Sequence, residues 1–213
     1  MHYQIFHLLF YIGLKLIFRY RVVGSENIPK RGPAILACNH ASFLDPPIAA
    51  TGLWRKVRFA ARENLFNNRL AGWWLRGVQA FPISRETLDR KTLRVILKFL
   101  EQGDLVLLFP EGTRSWDGEL QEGKPGVGMI AYLSRAPVIP ACVNGTFTAL
   151  PRGAKRLRCV PLSVRYGKPL SLGKYYHAKR YKGMYSDISR EIMEAIRQLK
   201  EESTSGSRQP APR

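Results

Sequence analysis

The chain has 213 residues, enough for one domain with a real core or a domain plus an appendage. Hydrophobic residues at 45% and charged residues at 23% are ordinary globular values, but 34 Lys and Arg against 16 Asp and Glu leave a net charge of +18. That excess implies an anionic partner (nucleic acid, an anionic membrane surface or a phosphorylated small molecule) without choosing among them. Cys38, Cys142 and Cys159 are isolated and odd in number, with no metal spacing. Cys38 and Cys142 sit in apolar runs and read as buried thiols of a reducing compartment, and no metal site is visible.

The first segment, MHYQIFHLLFYIGLKLIFRYRV, lacks the early basic residues and small-residue cleavage site of a secretory signal. Gln4, His7, Tyr11, Lys15 and Arg19 recur every three or four residues, a narrow polar stripe on an otherwise apolar helix. Roughly 17 helical residues reach about 25 Å, short of a hydrocarbon core of about 30 Å. A helix lying in the membrane interface fits better than a spanning one; the alternative is a helix packed on the protein's own core.

Strands and helices then alternate. PAILACN (33–39) reads as a buried strand, VRFAA (57–61) as a second, and 68–75 as a helix ending at Gly77. QAFPIS (79–84) is a third strand, and ETLDRKTLRVILKFLEQG an amphipathic helix stopped by Gly103. DLVLLFP (104–110) is the clearest buried strand, followed by a helix over 126–136, a strand over 137–143 and another within LRCVPLSVRYG. A last helix follows Asp187 as N-cap, with Ile188, Ile192, Ile196 and Leu199 on one face. These elements predict an α/β fold: a single domain with a mostly parallel central sheet flanked by helices, plus the N-terminal membrane-interface helix. The expected division is 1–20 for that helix, 21–202 for the domain and 203–213 for a disordered tail.

In such folds functional residues gather at strand ends. NHASFLD follows one strand, SRE another and EGTRS a third. In a regular helix, positions five apart diverge by about 140°. His40 and Asp45 can meet only if the turn between them folds the carboxylate back, which Asp45 as N-cap and Pro46 as first helical residue would allow. An oriented carboxylate fixes the imidazole tautomer and makes His40 a competent general base. Ser42 lacks a nucleophile elbow and Cys38 lies in an apolar context, which leaves a substrate hydroxyl as the nucleophile. Gly112, Thr113 and Arg114 stand beyond one strand and Arg85 beyond another, an arrangement suited to a phosphorylated substrate.

The blocks NHASFLD, FPISR, FPEGTRS and VIPACVNG, in this order and spacing, resemble those of the glycerolipid acyltransferases, in particular the bacterial 1-acyl-sn-glycerol-3-phosphate acyltransferases. The resemblance covers residues 39–145 and implies acyl transfer from a thioester, acyl-CoA or acyl carrier protein, to the free hydroxyl of lysophosphatidic acid. The product would be phosphatidic acid, with no acyl-enzyme and no cofactor or metal. By motif, His40 and Asp45 are the base and its partner, and Arg85 with Glu111, Gly112, Thr113 and Arg114 bind the glycerol phosphate. Arg62 falls where the family often has a lysine and Asn64 replaces an acid; arginine and lysine are not equivalent at a phosphate site. Glycerol 3-phosphate or another lysolipid as acceptor, or a non-catalytic basic membrane-binding protein, are the alternatives. Nucleic acid is not expected, because no recognition motif accompanies the charge. The expected location is the cytoplasmic face of the cell membrane, held peripherally by anionic lipids and the apolar helix.

Overall fold

A computed structural model describes residues 2–83 and 88–206. Among these, seven strands form one sheet: β1 (Arg21–Val23), β2 (Ala34–Cys38), β3 (Val57–Arg62), β4 (Ala80–Ile83), β5 (Leu105–Leu108), β6 (Val138–Asn144) and β7 (Ser163–Tyr166). Their order is β1-β7-β6-β2-β5-β3-β4, parallel throughout except for the β6–β7 pair. Strands β2 and β5 are buried at every position because helices cover both faces of the sheet.

Alternation along the strands divides the core. Leu36 and Cys38 of β2 and Leu105 and Leu107 of β5 pack with α1 (His2–Phe18), α2 (Asp45–Thr51) and α3 (Arg69–Gly77). Ile35, Ala37, Val106 and Leu108 face the opposite side, towards α4 (Arg90–Glu101), α5 (Pro125–Ser134) and α8 (Met184–Gly206). Two short helices, α6 (Thr146–Ala149) and α7 (Gly173–His177), lie in the connections around β7.

Three local expectations change. The helix expected from residue 86 starts at Arg90, where the Asp89 carboxylate accepts the Thr92 N–H at 2.7 Å and caps it. Asp187 is not the N-cap of α8: the helix begins three residues earlier, and the Asp187 side chain accepts from Arg190 and from the Tyr181 hydroxyl. The same helix continues to Gly206, past residue 203, where the Ser203 hydroxyl donates to the Leu199 carbonyl; residues 207–213 lie outside the described residues.

Helix α1 packs by a stripe of His7, Tyr11, Leu14 and Phe18, which shares only its first two members with the polar stripe; Lys15 and Arg19 are exposed. Leu14 and Phe18 enter the core, and on the same side His7 and Tyr11 meet Trp54 at ring separations of 5.0 and 6.4 Å. Burial pulls the His7 imidazole below its ordinary pKa. Leu8, Leu9, Ile12, Leu16 and Ile17 point outward, Leu9 60% and Leu16 78% exposed. One stripe of the helix thus packs on the domain, and a broad apolar arc is left on the outside. Among the described residues no helix is long and apolar enough to cross a membrane.

Candidate active site

Strands β2, β5 and β6 run parallel, so they deliver their carboxyl ends to one edge of the sheet. His40 follows β2 there, and residues 109–115 follow β5. The Asn39 amide fixes the end of β2 to its neighbour, accepting from the Val143 N–H (2.8 Å) and donating to the Val143 carbonyl (3.0 Å).

His40 Nδ1 lies 2.9 Å from Asp45 Oδ2. That one carboxylate oxygen also accepts the backbone N–H groups of Ala41 (2.6 Å) and Ser42 (2.7 Å). Asp45 is thus the first residue of α2 rather than its N-cap: Leu44 holds the cap position, and the carboxylate turns back over the 40–42 turn. Asp45 is fully buried, and its Oδ1 has no hydrogen-bond partner among the described residues. Because a carboxylate only accepts, Nδ1 carries the hydrogen, and Nε2 is left as the basic nitrogen. The imidazole stacks on Phe109 (centroids 3.9 Å apart, 18° between planes), which holds the ring against rotation.

The internal nucleophile candidates are out of action. Cys38 is fully buried, and desolvation raises its pKa well above the ordinary thiol value. Burial likewise pushes Cys142 up to about 12. The Ser42 hydroxyl donates to the Leu150 carbonyl at 2.7 Å.

Glu111 has a different place from the one its motif suggests. It is 1% exposed and does not line the cavity described below. Its two carboxylate oxygens accept the backbone N–H groups of His40 (2.8 Å) and Gln121 (3.2 Å). Glu111 therefore ties the backbone of the histidine to the segment after β5. Burial pushes its pKa up to about 7 against the lowering effect of the two N–H donors. The Ser115 N–H closes the same connection on the His40 carbonyl at 2.8 Å.

A cavity of about 440 Å³ opens beside His40. Its lining combines Gly112, Thr113, Arg114, Arg62 and Lys124 with apolar side chains that include Phe59, Leu75, Ile83, Ile96, Leu107 and Ile130. Among the described residues no Asp or Glu lines it. The Arg114 guanidinium lies 3.5 Å from the Phe43 ring, a cation–π contact that fixes its direction. Gly112 has φ +69°, and a Cβ there would come within 3.0 Å of Lys124 Cδ, so the lysine stem covers the glycine. Arg85 lies outside the described residues. Among the described residues no group of three or more His, Cys, Asp or Glu could hold a metal ion.

Sequence reading brings together His40, Asp45, Gly112, Thr113, Arg114 and Arg62, but it misses Lys124, Phe43 and Phe109. Lys124 is nine residues beyond Ser115, the end of the EGTRS block, and is carried back by its N–H donating to the Pro110 carbonyl at 2.8 Å. The only local signal is a lysine directly before Pro125 at the start of a helix.

Comparison with known proteins follows the same outline. The model of the acyltransferase family matches residues 19–144, more than half of the chain. The 1-acyl-sn-glycerol-3-phosphate acyltransferase of Bacillus subtilis (strain 168) is 28% identical over 183 residues, covering 84% of this chain and 89% of its own. The chloroplastic enzyme of that name from Arabidopsis thaliana is 30% identical over 149 residues, and the match spans 41% of that longer protein. The crystal structure of the 1-acyl-sn-glycerophosphate acyltransferase PlsC from Thermotoga maritima superposes with a TM-score of 0.74 at 26% identity, over 93% of this chain and 78% of that one. A matching fold, a matching family model and a site built from that family's blocks agree: this chain belongs to the acyltransferase family.

Proposed function

We propose that the protein transfers a fatty acyl group from a thioester to the free hydroxyl of 1-acyl-glycerol 3-phosphate, giving phosphatidic acid. The observation that carries this reading is the His40–Asp45 pair beside a cavity whose lining combines the cations Arg62, Arg114 and Lys124 with a majority of hydrocarbon side chains. An anionic head group with a long apolar tail matches that mixed lining. The named relatives in Bacillus and Arabidopsis support the choice of acceptor.

In this mechanism His40 Nε2 takes the proton of the acceptor hydroxyl as its oxygen attacks the thioester carbonyl carbon. Asp45 holds the ring in place and stabilises the imidazolium. The tetrahedral intermediate collapses, the carbon–sulfur bond breaks, and the departing thiolate takes the proton back from His40. No acyl-enzyme forms, which agrees with the buried state of Cys38 and the engaged hydroxyl of Ser42. Arg114, Arg62 and Lys124 bind the phosphate, with Thr113 as an added donor; Arg85 joins them by motif. The donor is acyl-CoA or acyl carrier protein. Glu111 acts through the backbone of His40 rather than on the substrate.

The acceptor and product live in a bilayer, and the outward arc of α1 supports a peripheral or monotopic seat on the cytoplasmic face, with the +18 charge drawing the protein to anionic lipid. The test is thiol release from acyl-CoA and from acyl carrier protein, with lysophosphatidic acid, glycerol 3-phosphate or lysophosphatidylcholine as acceptor. Release that requires lysophosphatidic acid supports the proposal. Release with equal rates for all three acceptors, or with none added, contradicts it.

A further inference from the structure

The charge beside the site exceeds what the cavity uses. We propose that the loop at 151–159, between α6 and β7, docks an acidic protein surface that presents the acyl thioester. The proposal rests on the acyl-transfer reading above and names the partner that brings its donor.

Arg152, Lys155, Arg156 and Arg158 fall within seven residues, and no Asp or Glu occurs between Glu122 and Asp187. Among the described residues none of the four forms an ion pair with an acid. In a protein that pairs Lys200 with Glu119 and Lys174 with Glu191, four cations gathered without a counter-charge favour an external anion.

The topology puts this loop at the right edge. Asn144 at the end of β6 pairs with Ser163 at the start of β7, and β6 runs parallel to β2, which ends at His40. The whole connection therefore stands at the carboxyl edge of the sheet, where the site is. Two contacts seat it there: Ser42 Oγ donates to the Leu150 carbonyl at 2.7 Å, and Arg152 Nη1 donates to the Arg114 carbonyl at 3.3 Å. The Arg152 guanidinium also lies 3.7 Å from the Trp116 ring.

An acidic protein fits better than a bilayer or a nucleotide. The apolar arc proposed to face lipid belongs to α1, over one face of the sheet, whereas the loop stands at its edge. None of the loop's cations lines the cavity. They lie on an exposed loop with Leu157 (52% exposed) among them and Trp116 (70% exposed) beside them. Cations spread around exposed apolar side chains complement an extended acidic surface with an apolar patch, and such rim charges steer association. One compact phosphate cluster would call for an enclosed pocket instead.

The test reverses three charges, Lys155→Glu, Arg156→Glu and Arg158→Glu, leaving Arg152 on Arg114. Kinetics are measured with one acyl group carried by acyl carrier protein and by CoA, and binding to anionic vesicles is followed by flotation. Lys179→Glu with Lys182→Glu, on the loop before α8, controls for net charge. The expected result is a KM for the carrier-borne donor raised about tenfold or more, with its salt dependence flattened, against a change of about twofold or less with acyl-CoA and unaltered flotation. Equal effects on both donors, lost flotation, no effect at all, or the same effect from the Lys179 and Lys182 control would each overturn the proposal. Wild-type transfer from CoA but not from the carrier would overturn it and leave the acyl-transfer reading standing; transfer from neither would strike that reading itself.

Discussion

Glu111→Gln separates a positioning role for this carboxylate from substrate binding, and its effect can be worked out in advance. Burial pushes Glu111 up to about 7 in the folded protein from an ordinary 4.5, which corresponds to ~3 kcal/mol. Between pH 4.5 and 7 the folded protein holds a proton here that the unfolded chain has released. Stability therefore falls as pH rises through that window and levels off above about 7. Glutamine abolishes this component, but its NH₂ group must face one of the two N–H donors, from His40 or Gln121. Leaving that donor unsatisfied costs roughly 1–3 kcal/mol at any pH. Urea unfolding of wild type and variant between pH 5 and pH 8 should show the variant less stable at pH 5. By pH 8 it should recover about 2–3 kcal/mol relative to wild type. Activity should fall through kcat, since the backbone of His40 loses an anchor, with the KM for acceptor little changed. Unfolding curves that keep a constant separation from pH 5 to pH 8 would refute the buried-carboxylate reasoning, and a raised acceptor KM with intact kcat would restore Glu111 to the phosphate site.

Asp45→Asn keeps an oxygen that can accept from Ala41 and Ser42 but removes the charge facing the imidazolium; kcat should drop ~10²–10⁴-fold while the thermal unfolding midpoint moves little. An unchanged kcat would remove Asp45 from the mechanism. Arg114→Lys keeps the charge but loses the flat stack on Phe43 and bidentate geometry, so kcat/KM for lysophosphatidic acid should fall about 10–100-fold, mostly in KM. Replacing Leu9 and Leu16 together by Asp, on the outward arc of α1, should release the protein from vesicles in a flotation assay without unfolding it, because neither side chain is in the core. Deleting residues 1–20 is a poorer test, since it would also remove Leu14, Phe18 and Tyr20 from the core.

Much of the fold was legible because its central strands are covered on both faces. The runs AILAC and LVLL admit no polar residue, and the helices between them keep a clear apolar face. The edge strand β1 escaped notice because three residues, RVV, carry no periodicity, and only register with β7 defines them. Helix α1 shows the limit of pattern reading. Its inner face combines His7 and Tyr11 of the polar stripe, whose rings meet Trp54, with the apolar Leu14 and Phe18, while Lys15 and Arg19 stay exposed, and no sequence rule states which neighbour a stripe will find. Within the site, His40, Asp45, Gly112, Thr113 and Arg114 were legible from their spacing at strand ends. Glu111 was read with its neighbours, but its direction depends on a hydrogen bond to a residue 71 positions away. Lys124 reaches the cavity only through the path of the chain from β5 to α5, which spacing alone does not encode.

The central claim is direct transfer from thioester to lipid hydroxyl under a histidine base, and a single-turnover experiment tests it most directly. Enzyme in excess is mixed with radiolabelled acyl thioester, with and without lysophosphatidic acid, quenched in acid, and assayed for labelled protein and free thiol, for wild type and His40→Ala. The account predicts no labelled protein at any time, thiol release only with acceptor and equal to the phosphatidic acid formed, and loss of both in the variant by ~10² or more. A burst of thiol without acceptor, matched by label on the protein, or full transfer by His40→Ala, would contradict it.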